Sequence, residues 1–258
     1  MKEILFTKEN GVGIIRFNRP KVYNCFTRQL AFETMEALQD CAEDTSIRCV
    51  YITGEGKAFC AGQDLQEAIS EGEPTLSTIL KEHLGPLVNK IRALEKPVVA
   101  AINGVAAGAG VSVALACDVT IATQSASFIQ AFSKIGLIPD SGATFFLPRL
   151  VGYQKASALM LLGDKVSATD AEAMGMIYKV VADEDFEAVS MKIAQKLANM
   201  PTKALAYTKQ LLQQSSANDF TSQLDLEHDM QVKAGNTEDY AEGVAAFLEK
   251  RKPKFEGK

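Results

Sequence analysis

The chain has 258 residues, of which 47% are hydrophobic and 23% charged, proportions that suit one large folded domain or two small ones. Its formal net charge of −5, with no block of Lys and Arg, excludes a general binder of nucleic-acid backbones, because phosphate affinity depends on clustered cations. The sequence begins Met-Lys-Glu-Ile with no apolar signal core, and the longest apolar stretches, 98–102 and 105–117, are too short to span a bilayer.

Taken in chain order, short β-branched runs recur at 12–17, 48–53, 98–102, 119–122 and 177–181. Between them, 30–41 and 76–94 repeat apolar residues at helical spacing, so each can return the chain to a parallel strand. The expectation is an α/β fold. From Ser167 the pattern changes. Ser167-Ala-Thr-Asp170 reads as a helix cap with an acid at its third position, and Gly175 suits the left-handed residue that ends that helix. Segments 184–200, 202–217, 219–233 and 237–250 are helical in pattern, with Pro201 at a helix start. We therefore divide the chain into an α/β core, 1–195, and a helical C-terminal region, 196–258. The latter is too small to bury its own apolar stripes and needs the core or a neighbouring subunit as a packing surface.

The five cysteines, Cys25, Cys41, Cys49, Cys60 and Cys117, are odd in number and lack Cys-x-x-Cys spacing, which predicts reduced thiols in a cytoplasmic protein. His83 and His228 are far apart, so surface or satisfied polar positions are expected for both, and no metal site is.

Three segments carry the chemical signals. Asn103-Gly-Val-Ala-Ala-Gly-Ala-Gly110 precedes a run of small apolar residues that reads as a buried helix, whose first turn offers unpaired N–H groups; small residues also simply allow close packing. Ala58-Phe-Cys-Ala-Gly-Gln-Asp-Leu65 follows a strand and the flexible Gly54-Glu-Gly56. In 131–149 the single acid is Asp140, between Pro139 and Ser141-Gly142. It is a candidate proton carrier, or else a turn residue or the cap of a helix starting near Ser141.

In order and spacing these stretches, with Cys117-Asp118, resemble the crotonase, or enoyl-CoA hydratase/isomerase, superfamily along nearly the whole chain. The resemblance implies a core of repeated ββα units, a helical C-terminal trimerisation region and a homotrimer or homohexamer. It implies an acyl-CoA substrate and no separate cofactor, with the thioester oxygen held by the N–H groups of Gln63 and Ala109. Lys21 or Val22, Ala61, Asp64 and Leu65 would line the CoA path, and Phe247 and Lys250 would approach its adenine and phosphate, from a neighbouring subunit where the assembly requires it.

The departures from the family pattern are informative too. The two glutamates with which hydratases activate water fall at Ser112 and Phe132, and the acid stands instead at Asp140. One base that takes a proton from carbon and returns it to another carbon performs an isomerisation. Chlorobenzoyl-CoA dehalogenases of the superfamily also use a histidine and a tryptophan, which fall at Gly85 and Phe132 in a chain that has no tryptophan. The wording around Gln63 and Asp140 is most similar to the epoxyphenylacetyl-CoA isomerase branch of phenylacetate breakdown, and fatty-acid metabolism is the wider setting. The alternatives are a hydratase of low activity and a non-catalytic acyl-CoA binder. Phe132, Ile138, Phe145 and Phe146 are expected to desolvate Asp140 and raise its pKa.

Overall fold

The structure, a computed structural model, describes residues 2–69 and 75–258. Strands β1 (Ile4–Glu9) and β2 (Val12–Phe17) form a hairpin whose two central residues, Asn10 and Gly11, both take positive φ, the turn that matches strand twist. Helix α1 (Arg28–Glu43) starts at Thr27, whose hydroxyl accepts from the Leu30 N–H at 3.0 Å. It returns the chain to β3 (Cys49–Gly54), parallel to β2.

Three strand pairs then follow one plan. β3 leads to β4 (Ala58–Cys60), β5 (Val98–Ile102) to β6 (Val105–Ala107), and β7 (Val119–Thr123) to β8 (Ser127–Ile129). The first strand of each pair joins a six-stranded sheet and the second a four-stranded sheet. Short links make the switch possible. A Cβ on Gly104 would stand 2.2 Å from the Lys57 carbonyl oxygen, so only glycine lets the two links pass this closely. The Asn103 amide ties the links together, accepting from Gly54 N–H at 3.1 Å and donating to the Gly56 carbonyl at 3.0 Å.

Between β4 and β5 lie α2 (Leu65–Ile69), α3 (Leu76–Thr78), a π-helical stretch Ile79–Leu84 and α4 (Gly85–Ala93). After β6 comes α5 (Ala109–Ala116), every residue of which is buried. α6 (Ala143–Val151) and α7 (Tyr153–Leu162) follow β8. β9 (Lys165–Ser167) then closes the small sheet antiparallel to β8. α8 (Ala168–Ala173) is capped by the Ser167 hydroxyl, which accepts from Asp170 N–H at 3.0 Å, and Gly175 takes φ +78°, both as the sequence predicts. β10 (Lys179–Val181) ends the large sheet and α9 (Phe186–Ala198) covers one face of it, with Tyr51 on β3 hydrogen-bonded to Ser190 at 2.8 Å. Phe17, Phe26 and Phe59 pack together on the other face at centroid distances of 5.4 Å.

The chain ends in α10 (Thr202–Gln214), α11 (Phe220–Gly235) and α12 (Glu238–Leu248). Two cations tie this region to the sheet. Arg48 donates to the Thr202 hydroxyl at 2.8 Å and to the carbonyls of Met200 and Phe255. Lys209 reaches Asp118 at 2.9 Å and the Ile91 carbonyl at 2.9 Å.

Three expectations need correction. Strands β4, β6, β8 and β9, each only three residues long, are absent from the β-branched pattern, as is β1. The helix over 76–94 is not uniformly α: Gly85 N–H bonds the Leu80 carbonyl five residues back, widening the turn. His83 lies in that turn, 1% exposed against Phe32, and its Nδ1 has no hydrogen-bond partner among the described residues, so it is not a surface residue.

Candidate active site

Backbone geometry builds the first half of the site. Ala61 N–H bonds the Tyr23 carbonyl at 3.0 Å, Phe26 N–H the Gly62 carbonyl at 2.7 Å, and Asp64 N–H the Phe26 carbonyl at 2.8 Å. Gly62, at φ +96°, turns the chain between these contacts. The Gln63 N–H is left with no acceptor among the described residues. Ala109 opens α5, and a first helical N–H has no intrahelical acceptor and sits at the positive end of the dipole. The two loops touch: a Cβ on Gly62 would stand 3.5 Å from Ala109 N. The loops that carry these two backbone donors are thus in contact.

Arg19, which the sequence reading passed over, holds the Gln63 loop. Its guanidinium pairs with Asp64 at 2.9 Å and Glu3 at 3.1 Å and donates to the Cys25 carbonyl at 2.6 Å. Asp64 accepts in turn from Gln66 N–H at 3.1 Å. The pattern of Arg19 and an acid 45 residues later carries no periodic signal that would reveal it.

Asp140 supplies the second half. Ser141 and Gly142 take consecutive left-handed conformations, φ +52° and +84°, which lift Asp140 out of line with α6. Its carbonyl accepts from Ala143 N–H at 3.0 Å, whereas its carboxylate accepts only from the Ser141 hydroxyl, at 2.8 Å, among the described residues. The side chain therefore does not cap the helix. Burial pushes the Asp140 pKa up from its ordinary value of 3.8, and the Ser141 hydroxyl opposes the shift. Asp140 faces a cleft of about 520 Å³ walled by Leu80, Gly85, Val88, Arg92, Phe145 and Phe146. Phe145 and Phe146 share that cleft with Asp140, whereas Ile138 is 80% exposed and is not among its walls.

Asp140 makes no direct hydrogen bond to either donor loop among the described residues. Phe132 lies against the Ala109 loop: its ring would stand 3.8 Å from a Cβ on Gly108, and its carbonyl accepts from Leu137 N–H at 3.0 Å. At the positions where hydratases carry glutamates, Ser112 is fully buried and bonds the Gly108 carbonyl at 3.4 Å, and Phe132 is apolar. Neither supplies a second acid.

Of the residues assigned to CoA, Lys21, Val22, Ala61, Asp64 and Leu65 fall in one neighbourhood, linked through the Tyr23 carbonyl, with Val22 and Leu65 exposed. Phe247 and Lys250 do not join them. They lie at the end of α12, Phe247 exposed beside Pro201 and Phe255, and no hydrogen bond or ion pair connects them to that neighbourhood among the described residues. Among the described residues no group of three His, Cys, Asp or Glu side chains is arranged to hold a metal, and no helix is long and apolar enough to cross a membrane.

The family described as enoyl-CoA hydratase/isomerase matches residues 7–258. A 1,2-epoxyphenylacetyl-CoA isomerase of Escherichia coli K12 is 44% identical over all of both chains. A Rhodobacter capsulatus protein described as a probable enoyl-CoA hydratase is 42% identical over 99% of this chain and 98% of its own. The crystal structure of an enoyl-CoA hydratase from Bacillus anthracis superposes with a TM-score of 0.95 at 32% identity, covering 99% of this chain and 100% of that one.

Proposed function

The chain belongs to the enoyl-CoA hydratase/isomerase family, and from that premise we propose that it is an acyl-CoA isomerase in which Asp140 carries the proton. The observation that carries this reading is a half-buried carboxylate with a raised pKa, facing a largely apolar cleft, with Ser112 and Phe132 in place of the hydratase pair.

On a 3-enoyl thioester the steps balance without a co-reactant. Asp140 removes a proton from C2, and the electron pair delocalises over the C3–C4 double bond and the thioester oxygen. That oxygen accepts hydrogen bonds from Gln63 and Ala109. A proton delivered to C4 from the Asp140 carboxyl, which exchanges with water between the two transfers, leaves the double bond between C2 and C3 in conjugation. A raised pKa suits both halves, since a base closer in pKa to neutrality also returns its proton readily. An oxyanion-hole donor is worth about 10²–10³ in rate and a positioned acid/base about 10²–10⁴. A ring epoxide on an arylacetyl-CoA offers the same handle, a C2 proton next to the thioester for Asp140 to take and an enolate oxygen for the hole to hold.

The assembly belongs to this reading. α11 buries none of its own residues and exposes Phe220, Leu224 and Val232, a spacing that lays one apolar stripe along the helix. We assign it to a homotrimer or a dimer of trimers, in which Phe247 and Lys250 approach CoA from a neighbouring subunit.

The test is solvent exchange. In deuterium oxide the protein should convert 3-enoyl-CoA to 2-enoyl-CoA with deuterium at C2 and C4, read by mass spectrometry. Affinity for acyl-CoA without exchange or conversion would reduce it to a binder, and water addition alone would make it a hydratase.

A further inference from the structure

The turn that presents Asp140 carries a side chain where glycine would fit with less strain. Ser141 takes φ +52°, in the left-handed region, and Gly142 after it takes φ +84°. Gly142 has a steric reason to lack a side chain, since a Cβ there would come within 2.6 Å of the Phe146 ring. Ser141 is half-buried and keeps its hydroxyl in spite of its backbone.

The partner of that hydroxyl is the proton carrier itself. Serine in a turn ordinarily bonds a nearby backbone group, but Ser141 Oγ bonds none among the described residues and donates to Oδ1 of Asp140 at 2.8 Å. It is the one donor that reaches this carboxylate among the described residues, whereas Oδ2 has no partner among them and is not a buried atom. Asp140, Ser141 and Gly142 all line the cleft with Leu80, Gly85 and Phe146. The two carboxylate oxygens are therefore unlike: the turn holds one, and the other is free.

Resting on the reading of Asp140 as the proton carrier, we propose that Ser141 is its positioning residue, whose hydroxyl holds Oδ1 so that Oδ2 alone serves both C2 and C4 of the acyl group. The two carbons are separated by a single atom, so one oxygen reaches both with a small rotation. While Asp140 is ionised the bond fixes the plane of the carboxylate. Once Asp140 is protonated the bond occupies Oδ1 and keeps the acidic hydrogen on Oδ2, beside the carbon that receives it. The hydroxyl also favours the ionised form, against the burial that raises the pKa. Arg92 of α4 is the other ionisable side chain on the cleft among the described residues, and its guanidinium lies over the Phe146 ring at 5.3 Å; α6 and α10 contribute the uncharged Phe145, Phe146 and Gln213.

The experiment compares Ser141→Gly with Ser141→Ala. Both remove the hydroxyl, but glycine relieves the left-handed strain and alanine keeps it, so Ser141→Gly should melt higher than Ser141→Ala. Their effect on the base should nevertheless be the same. The Asp140 titration, followed by carboxyl-carbon NMR and assigned by its absence in Asp140→Asn, should move up by about one pH unit in both, as expected when a charged group loses a hydrogen bond. The acidic limb of kcat on 3-enoyl-CoA should move with it, lowering kcat below the limb by about 10-fold while KM changes little. A titration unmoved in either variant overturns the inference: a shift confined to Ser141→Ala would point to backbone strain, and one confined to Ser141→Gly to backbone freedom. The two readings fail separately. No conversion by the wild type removes the isomerase, on which this role rests, whereas conversion with an unmoved titration removes Ser141 alone.

Discussion

Gly62 lies against Ala109 so closely that a Cβ on Gly62 would stand 3.5 Å from the Ala109 nitrogen and 3.2 Å from the Ala107 oxygen. The glycine, at φ +96°, thus sets the spacing of the two donor loops by having no side chain. Gly62→Ala should fill the hole and strain the loop, lowering kcat by about 10²-fold or more. Ala109→Pro is the sharper probe, since proline is tolerated at a first helical position yet removes the N–H. A loss of about 10²–10³ in kcat with a smaller change in acyl-CoA affinity is expected. Wild-type kcat in the Ala109→Pro variant would remove Ala109 from the hole.

Lys209 is 7% exposed and Asp118 19%, and the pair pins α10 to the start of β7. Lys209→Met leaves the partly exposed Asp118 carboxylate without its cation, so the folded state should lose about 2 kcal/mol in a denaturant titration. Because Gln213 sits one turn further along α10 and bonds Arg92, the same substitution should loosen the cleft wall and raise KM. Unchanged stability would mean that the helix is held by its apolar contacts alone.

How much of this was legible in the sequence follows from the length of each signal. β2, β3, β5 and β7 are runs of five or six residues rich in Val and Ile, and they stand out. Ala58–Cys60 and Val105–Ala107 form strands because their neighbours in the small sheet supply partners, and three residues carry no period of their own. The π-turn at Ile79–Leu84 is hidden for a similar reason: its apolar spacing still reads as helix, and only the bond from Gly85 to Leu80 gives it away. In the site, Asp140 was visible as the single acid of its segment. Arg19 and Asp64, or Arg92 and Phe146, are pairings between distant segments, which become neighbours only once the sheets are assembled.

The raised pKa of Asp140 has a sign that stability measurements can read. A group whose pKa is higher in the fold than in the unfolded chain contributes stability that is complete below its unfolded value, here near 3.8, and lost as pH rises through the folded value. Above that window the buried carboxylate is a burden. Asp140→Asn keeps the acceptor for Ser141 and carries no charge, so it should melt higher than wild type at pH 7, with the difference shrinking toward pH 4. A gap that widens on acidification would show that Asp140 is held as an anion by something other than Ser141.

The same substitution decides the mechanism. Asparagine at this position keeps the size and polarity of the side chain but cannot accept a proton from carbon, so exchange at C2 and C4 and the double-bond shift should both fall by at least about 10²-fold while acyl-CoA affinity persists. In the wild type, kcat should rise with pH through the raised Asp140 value and then level off, because the base must be ionised to begin the cycle; Asp140→Asn should lose that limb. Ser112→Ala, which removes only a 3.4 Å bond to the Gly108 carbonyl, should change the rate by a small factor and leave the pH profile in place. If Asp140→Asn exchanges deuterium into a bound acyl-CoA as fast as the wild type, the proton passes through another group, and Asp140 serves only the turn into α6.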